Sequence, residues 1–286
     1  MTTIKNFIKD HPVMTYFALT FIFTWGCMAL AIYPDRFPIS EEKLAASGAL
    51  VYGAMLVGPS GAALLLTGLL DGRSGFRNLF SRLIKWHVGF HWYAVALLTA
   101  PLLMTLILFT LSLISPAFTP AIFASGGNAP ALLPAIMAGL AVGFFEEIGW
   151  TGFATPRLRS RYSILISGLL IGVVWGAWHF LPFWESDTFS GAFPLFLLTI
   201  RLFSWLPPYR VLMVWVYDHT ESLLLSVLMH ASLMAGLTIF VPTDLSGISL
   251  AVWILTWAAA LWIGVGAVVM INRQRFWQHA SQGQIA

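Results

Sequence analysis

Residues 144–179 read FFEEIGWTGFATPRLRSRYSILISGLLIGVVWGAWH. Two adjacent carboxylates, Glu146 and Glu147, stand in a stretch otherwise composed for hydrocarbon, and His179 closes it. Only 9% of the chain is charged, and an ionisable group inside an apolar span is costly enough to mark a functional position by default. If residues 156–162 form the turn of a helical hairpin, Glu146 lies about 16 Å up one arm and His179 about 24 Å up the other. Both then sit near the middle of a hydrocarbon layer of roughly 30 Å.

The rest of the chain agrees with that setting. Of its 286 residues 58% are hydrophobic, and the mean hydropathy of +0.82 lies far outside the range of soluble domains. The sequence predicts an all-α, polytopic membrane helix bundle forming a single integral membrane domain over residues 1–286. About eight spans are expected, at 13–33, 48–70, 92–115, 130–155, 163–184, 191–217, 221–241 and 248–271. The sixth is interrupted by Arg201 and by Pro207 with Pro208, which predicts a broken helix whose freed backbone groups are satisfied by neighbours or a wet cavity. The N-terminal MTTIKNFIKDHP runs into an apolar stretch with no small-residue cleavage pattern, so the first helix is expected to be retained.

Lys and Arg set the orientation. With an even number of spans, one side holds Lys5, Lys9, Arg73, Arg77, Arg82, Lys85, Arg157, Arg159, Arg161, Arg210, Arg273 and Arg275, and the other only Arg36 and Lys43. That bias predicts cytoplasmic termini. The net charge of +3 is spread over short loops, which argues against nucleic acid as a partner and leaves the lipid bilayer as the one composition implies. Cys27 is the only cysteine, so an intramolecular disulfide and a cysteine-rich metal site are excluded. Residues 71–91, DGRSGFRNLFSRLIKWHVGFH, alternate basic and apolar side chains as an interfacial helix does. His87 and His91 within it have a spacing that can hold a metal, but they flank aromatics at a membrane boundary and read as an anchor.

The seven histidines sort by depth. His11, His87, His91, His219 and His279 fall at span ends or in loops. His179 and His230 lie well inside apolar runs, and His230 sits about 14 Å beyond Glu221. A lone buried histidine is ordinarily a hydrogen-bonded packing residue, and one intramembrane glutamate can simply bond a neighbouring helix. Three similar depths reached from three helices weaken that reading. A carboxylate beside an imidazole in a site poor in water can hold and deprotonate a water molecule, and a second imidazole can stabilise the oxyanion formed when that water attacks an amide. The same three residues, Glu146, His179 and His230, could instead bind Zn²⁺ and leave a fourth position for water.

Three motifs carry a family resemblance. EEIGWTG around Glu146 and Glu147, WGAWH from Trp175 to His179, and LMHAS around His230 resemble the EExxxR, FxxxH and HxxxN or HxxxD motifs of the CPBP intramembrane proteases, the CAAX prenyl endopeptidase type II and bacteriocin-processing group. The likeness extends over about residues 70–235. It implies an intramembrane endopeptidase of a bacterial inner membrane, acting on a peptide or membrane-protein substrate, of metal-dependent or metal-free glutamate type, with Glu146 and His179 activating water, His230 holding the oxyanion and Glu147 in support. Two departures stand out: Thr151 occupies the motif's arginine position and leaves no charge there to pair with a glutamate, and Met234 replaces the Asn or Asp and cannot donate to an oxyanion. Ser232, two residues from His230, points off that helix face. A non-catalytic peptide-binding scaffold and a proton-coupled transporter are the competing readings.

Overall fold

A computed structural model describes residues 2–124, 130 and 132–277; residue 131 of the fourth expected span and His279 lie outside them. The chain is helical, with no strand among the described residues. In order, the helices are α1 (Thr2–Asp10), α2 (Pro12–Ile32), α3 (Glu41–Leu70), α4 (Gly72–Leu83), α5 (Phe90–Ser112), α6 (Leu132–Gly149), α7 (Thr155–Arg159), α8 (Ile164–Trp178), α9 (Phe180–Phe183), α10 (Ala192–Phe203), α11 (Leu206–Thr220), α12 (Leu223–Phe240), α13 (Gly247–Ile271) and α14 (Arg273–Trp277). A π-turn at Trp150–Ala154 joins α6 to α7.

Six of these stretches are long and apolar enough to cross a bilayer, against the eight expected. The fifth expected span is shortened: α8 has 15 residues and measures about 22 Å, less than the hydrocarbon thickness. The sixth is divided into α10 and α11 by Ser204 and Trp205. Pro207 and Pro208 fall in the first turn of α11, where a missing N–H costs no intrahelical bond. The hairpin turn is also displaced. Residues 155–159 stay helical and the chain reverses at 160–163.

Two seams of small residues build the bundle around the glutamates. Apolar side chains gain little from leaving lipid for one another, so helices in a membrane associate where small residues let backbones approach. A Cβ on Gly139 would lie 2.5 Å from Ala231 O, and one on Gly143 2.5 Å from Val227 O, so α6 and α12 meet backbone to backbone. Likewise a Cβ on Gly168 would lie 2.6 Å from Val211 Cα, and one on Gly172 2.5 Å from Pro207 Cα, which joins α8 to α11. Serine caps fix where two of these helices start: Ser163 Oγ accepts from Ile166 N at 3.3 Å, and Ser222 Oγ from Leu225 N at 3.3 Å. Glu147, one turn beyond Gly143, is thereby brought to α12, and Trp175, within a turn of Gly172, to α11.

Candidate active site

Glu146 and Glu147 are both buried, at 3% and 0% exposure, but their surroundings differ. Glu147 sits in a closed ion cluster. Arg210 Nη1 donates to its Oε1 at 3.0 Å and its Oε2 at 2.8 Å, Thr151 Oγ1 donates to Oε2, and His230 Nδ1 lies 2.8 Å from Oε1. Since a carboxylate only accepts, His230 carries a proton on Nδ1. Glu146 has no cation in hydrogen-bond contact. Its Oε2 accepts from two indoles, Trp150 Nε1 at 3.2 Å and Trp175 Nε1 at 3.0 Å, and its Oε1 has no hydrogen-bond partner among the described residues.

Trp175 is the hub of the arrangement. Its indole N–H holds Glu146, and its carbonyl lies 2.8 Å from His179 Nδ1. Its ring packs edge-on against both His230, at 5.2 Å, and His179, at 5.5 Å between centroids. Arg210 Cζ stands 4.3 Å above the same ring, a cation–π contact that strengthens as water is excluded. The carbonyl can only accept, so His179 is protonated on Nδ1, which leaves Nε2 as the lone-pair nitrogen of the neutral ring. His179 is half-buried at the break between α8 and α9.

Local sequence explains the shape of the helix that carries the two glutamates. The π-turn begins at Trp150, three residues after Glu147, and such a distortion is found frequently at functional sites. Pro156 has no N–H, so the carbonyl of Gly152 loses its donor four residues on; Arg82 Nη2 supplies one instead, at 2.9 Å. Thr155 Oγ1 caps Trp150 O at 2.8 Å. On the far side Trp178 Nε1 donates to Thr24 Oγ1 at 2.9 Å and Trp25 Nε1 to Trp178 O at 3.1 Å, which ties α8 to α2.

The four residues singled out from the sequence occupy one neighbourhood, with pairings the motifs do not display. His230 bonds Glu147, while His179 reaches Glu146 through Trp175. Arg210, counted in sequence among the basic residues of one membrane face, is instead wholly buried in α11. It provides the positive charge that Thr151 does not. Ser232 Oγ donates to Ala96 O and Met229 O at 2.8 and 2.9 Å, away from the carboxylates. Glu146, His179 and His230 do not form a ligand set: among the described residues no three histidine, cysteine or carboxylate side chains are grouped to hold a metal ion.

Comparison with known proteins bears on the same segment. Residues 128–236 match the family model described as type II CAAX prenyl endopeptidase Rce1-like, a region that holds Glu146, Glu147, His179, Arg210 and His230. Over these residues the chain is similar to the CAAX prenyl endopeptidases. The CAAX prenyl protease 2 of Methanococcus maripaludis is 27% identical over 103 residues, which are 34% of this chain and 37% of that protein. The chain thus aligns with little more than a third of that curated relative's length. In this CAAX-protease-like chain the matched region takes in both glycine seams, from Gly139 on α6 to Val227 and Ala231 on α12.

Proposed function

We propose that the protein is an intramembrane endopeptidase in which Glu146, with His179, activates water for attack on a peptide bond. The observation that carries this reading is the asymmetry between the paired glutamates: Glu147 is neutralised by Arg210, whereas Glu146 is oriented by two indoles, with Oε1 unbonded among the described residues. Glu146 Oε1 takes a proton from water as the hydroxide adds to the amide carbon. The proton then passes to the departing nitrogen, giving a free carboxyl and a free amine. His179 Nε2, fixed by the Trp175 carbonyl, is the second acceptor beside that water. Arg210 Nε and Nη2 and His230 Nε2 are buried without a hydrogen-bond partner among the described residues. As donors, with His230 as imidazolium, they suit the oxyanion that Met234 cannot hold. Glu147 keeps both cationic groups in place.

The family relationship makes a peptide or membrane protein cut at the C-terminal side of a lipid-modified cysteine one substrate class for this site, to be tested beside unmodified membrane peptides. The chain crosses the membrane several times, and we assign both termini to the cytoplasmic side. With Arg210 buried and Arg201 bonded to Glu185 at 2.5 Å beyond the end of α8, the Lys/Arg bias becomes eleven against three, still favouring that orientation.

The test is Glu146→Gln in purified protein reconstituted in nanodiscs, with peptide cleavage followed by mass spectrometry. Glutamine keeps an acceptor for both indoles but cannot take the proton. Cleavage should fall by about 10²- to 10⁴-fold with an unchanged melting temperature; undiminished cleavage would overturn the assignment. Met234 favours one rival, a peptide-binding scaffold, for which the wild-type chain would bind membrane peptides and leave them intact.

A further inference from the structure

A second polar feature lies just beyond the C-terminal end of α6, around the π-turn and α7. The ends of α3 and α11, the whole of α4 and the turn around α7 enclose a half-open cavity of about 960 Å³. Its lining includes five cations, Arg77, Arg82, Lys85, Arg157 and Arg159, and three carboxylates, Asp71, Asp218 and Glu221. The carboxylates are already engaged: Asp71 by Arg157, Asp218 by Arg159 and by Arg275 from outside the lining, and Glu221 by Lys85 at 3.0 Å. Arg77 and Arg82 have no carboxylate partner among the described residues. Arg82 is half-buried and donates only to neutral acceptors, Tyr217 Oη at 2.7 Å, Gly152 O at 2.9 Å and Asn78 O at 3.4 Å.

A half-buried guanidinium without a counter-charge is costly in a protein of this apolarity. An anion in the cavity relieves that cost, and the planar fork of an arginine matches the oxygens of a phosphate. The position of α4 says where the anion comes from. Its flank and the loop after it expose Phe76, Phe80, Ile84 and Trp86, at 41 to 60%, as a helix seated among lipid headgroups does. The cavity mouth therefore opens at headgroup level, beside the apolar flank that acyl chains would cover.

We propose that this cavity is a binding site for the phosphate of an anionic phospholipid, held by Arg77 and Arg82. The site is separate from the carboxylate centre but joined to it, because Arg82 also holds the Gly152 carbonyl of the π-turn that follows Glu146 and Glu147. A lipid phosphate on Arg82 would steady that turn.

The experiment uses the purified full chain, with short-chain phosphatidylglycerol, phosphatidylcholine and inorganic phosphate as probes, read by native mass spectrometry and thermal shift. Phosphatidylglycerol should be retained and raise the melting temperature, phosphatidylcholine at the same concentration should do neither, and Arg77→Gln with Arg82→Gln should weaken phosphatidylglycerol retention about tenfold. Arg77→Gln alone, at an exposed position, should weaken it severalfold without altering the unliganded melting temperature, which separates loss of binding from loss of fold. Equal retention of the two lipids, retention unaffected by both substitutions, or a shift given by phosphate alone and not by lipid would each overturn the proposal.

Discussion

Arg210 reaches from α11 to both carboxylate oxygens of Glu147, at 2.8 and 3.0 Å, and both side chains are fully buried. Thr151, which stands one turn after Glu147 where the motif has arginine, donates to the same carboxylate. The charge the motif supplies from within its own helix is therefore supplied here from across the bundle.

Removing one partner of a buried pair leaves the other charged and unpaired, at a cost of about 3–5 kcal/mol. Arg210→Met should lower stability by that order in chemical unfolding of the detergent-purified protein. Glu147→Leu in the same background should recover most of the loss, because it removes the stranded carboxylate. A single variant as stable as wild type would show that the pair contributes nothing to the fold.

The position of the charge can be exchanged. Thr151 is 1% exposed, so Thr151→Arg in the wild-type chain overpacks the site and should cost about 1–3 kcal/mol. Combined with Arg210→Ala, which vacates the space and the charge, the same substitution should restore stability relative to Arg210→Ala alone. Opposite signs in the two backgrounds, read from unfolding midpoints, are the expected outcome.

Much of this was legible in the sequence. The apolar runs gave the helical membrane architecture, and similar depth along three helices pointed to Glu146, His179 and His230. Two of the expected spans are shortened or divided, because hydropathy does not register length lost at a break: α8 stops at Trp178, and Ser204 with Trp205 divide the stretch that Arg201 and the prolines had flagged. Arg210 was missed as a site residue because basic residues near span ends ordinarily face the membrane surface, and nothing in PPYRVLMVW marks one that turns inward. The glycine spacing was a usable signal. Gly139 with Gly143, and Gly168 with Gly172, lie four apart on one helix face each, the small-residue pattern of close helix contacts.

That seam makes a prediction of its own. Gly143→Val puts a branched side chain where a bare Cβ already stands 2.5 Å from Val227 O, so α6 and α12 must separate and Glu147 is drawn from His230. Melting temperature should fall clearly and cleavage with it, while the exposed substitution Val57→Ala on α3 should leave both unchanged. An unaltered melting temperature for Gly143→Val would mean that the close approach is not required.

Trp175→Phe separates the indole's two tasks. The benzyl ring can still lie beneath Arg210 and beside His230, but the N–H donated to Glu146 Oε2 at 3.0 Å is lost. A hydrogen bond to a charged group contributes about 1.5–3 kcal/mol, so kcat should fall about ten- to a hundredfold if that orientation is needed in the transition state, with KM little changed. A pure packing role would instead move the melting temperature and spare kcat.

Met234→Asn tests how complete the oxyanion site is. Met234 lies one turn beyond His230 on α12 and is half-buried, so an amide there faces the same side of the helix as the imidazole. A missing oxyanion donor typically costs about 10²- to 10³-fold in turnover. If the site lacks that donor, Met234→Asn should raise kcat by up to about that factor, with no change in Glu146 dependence. If Arg210 and His230 already hold the oxygen, kcat should stay within about threefold of wild type and Arg210→Lys should then be the variant that loses it, because an ammonium cannot present the Nε and Nη2 donors of the guanidinium together. Measuring the two variants side by side in one cleavage assay decides which of the two donor sets the chain uses.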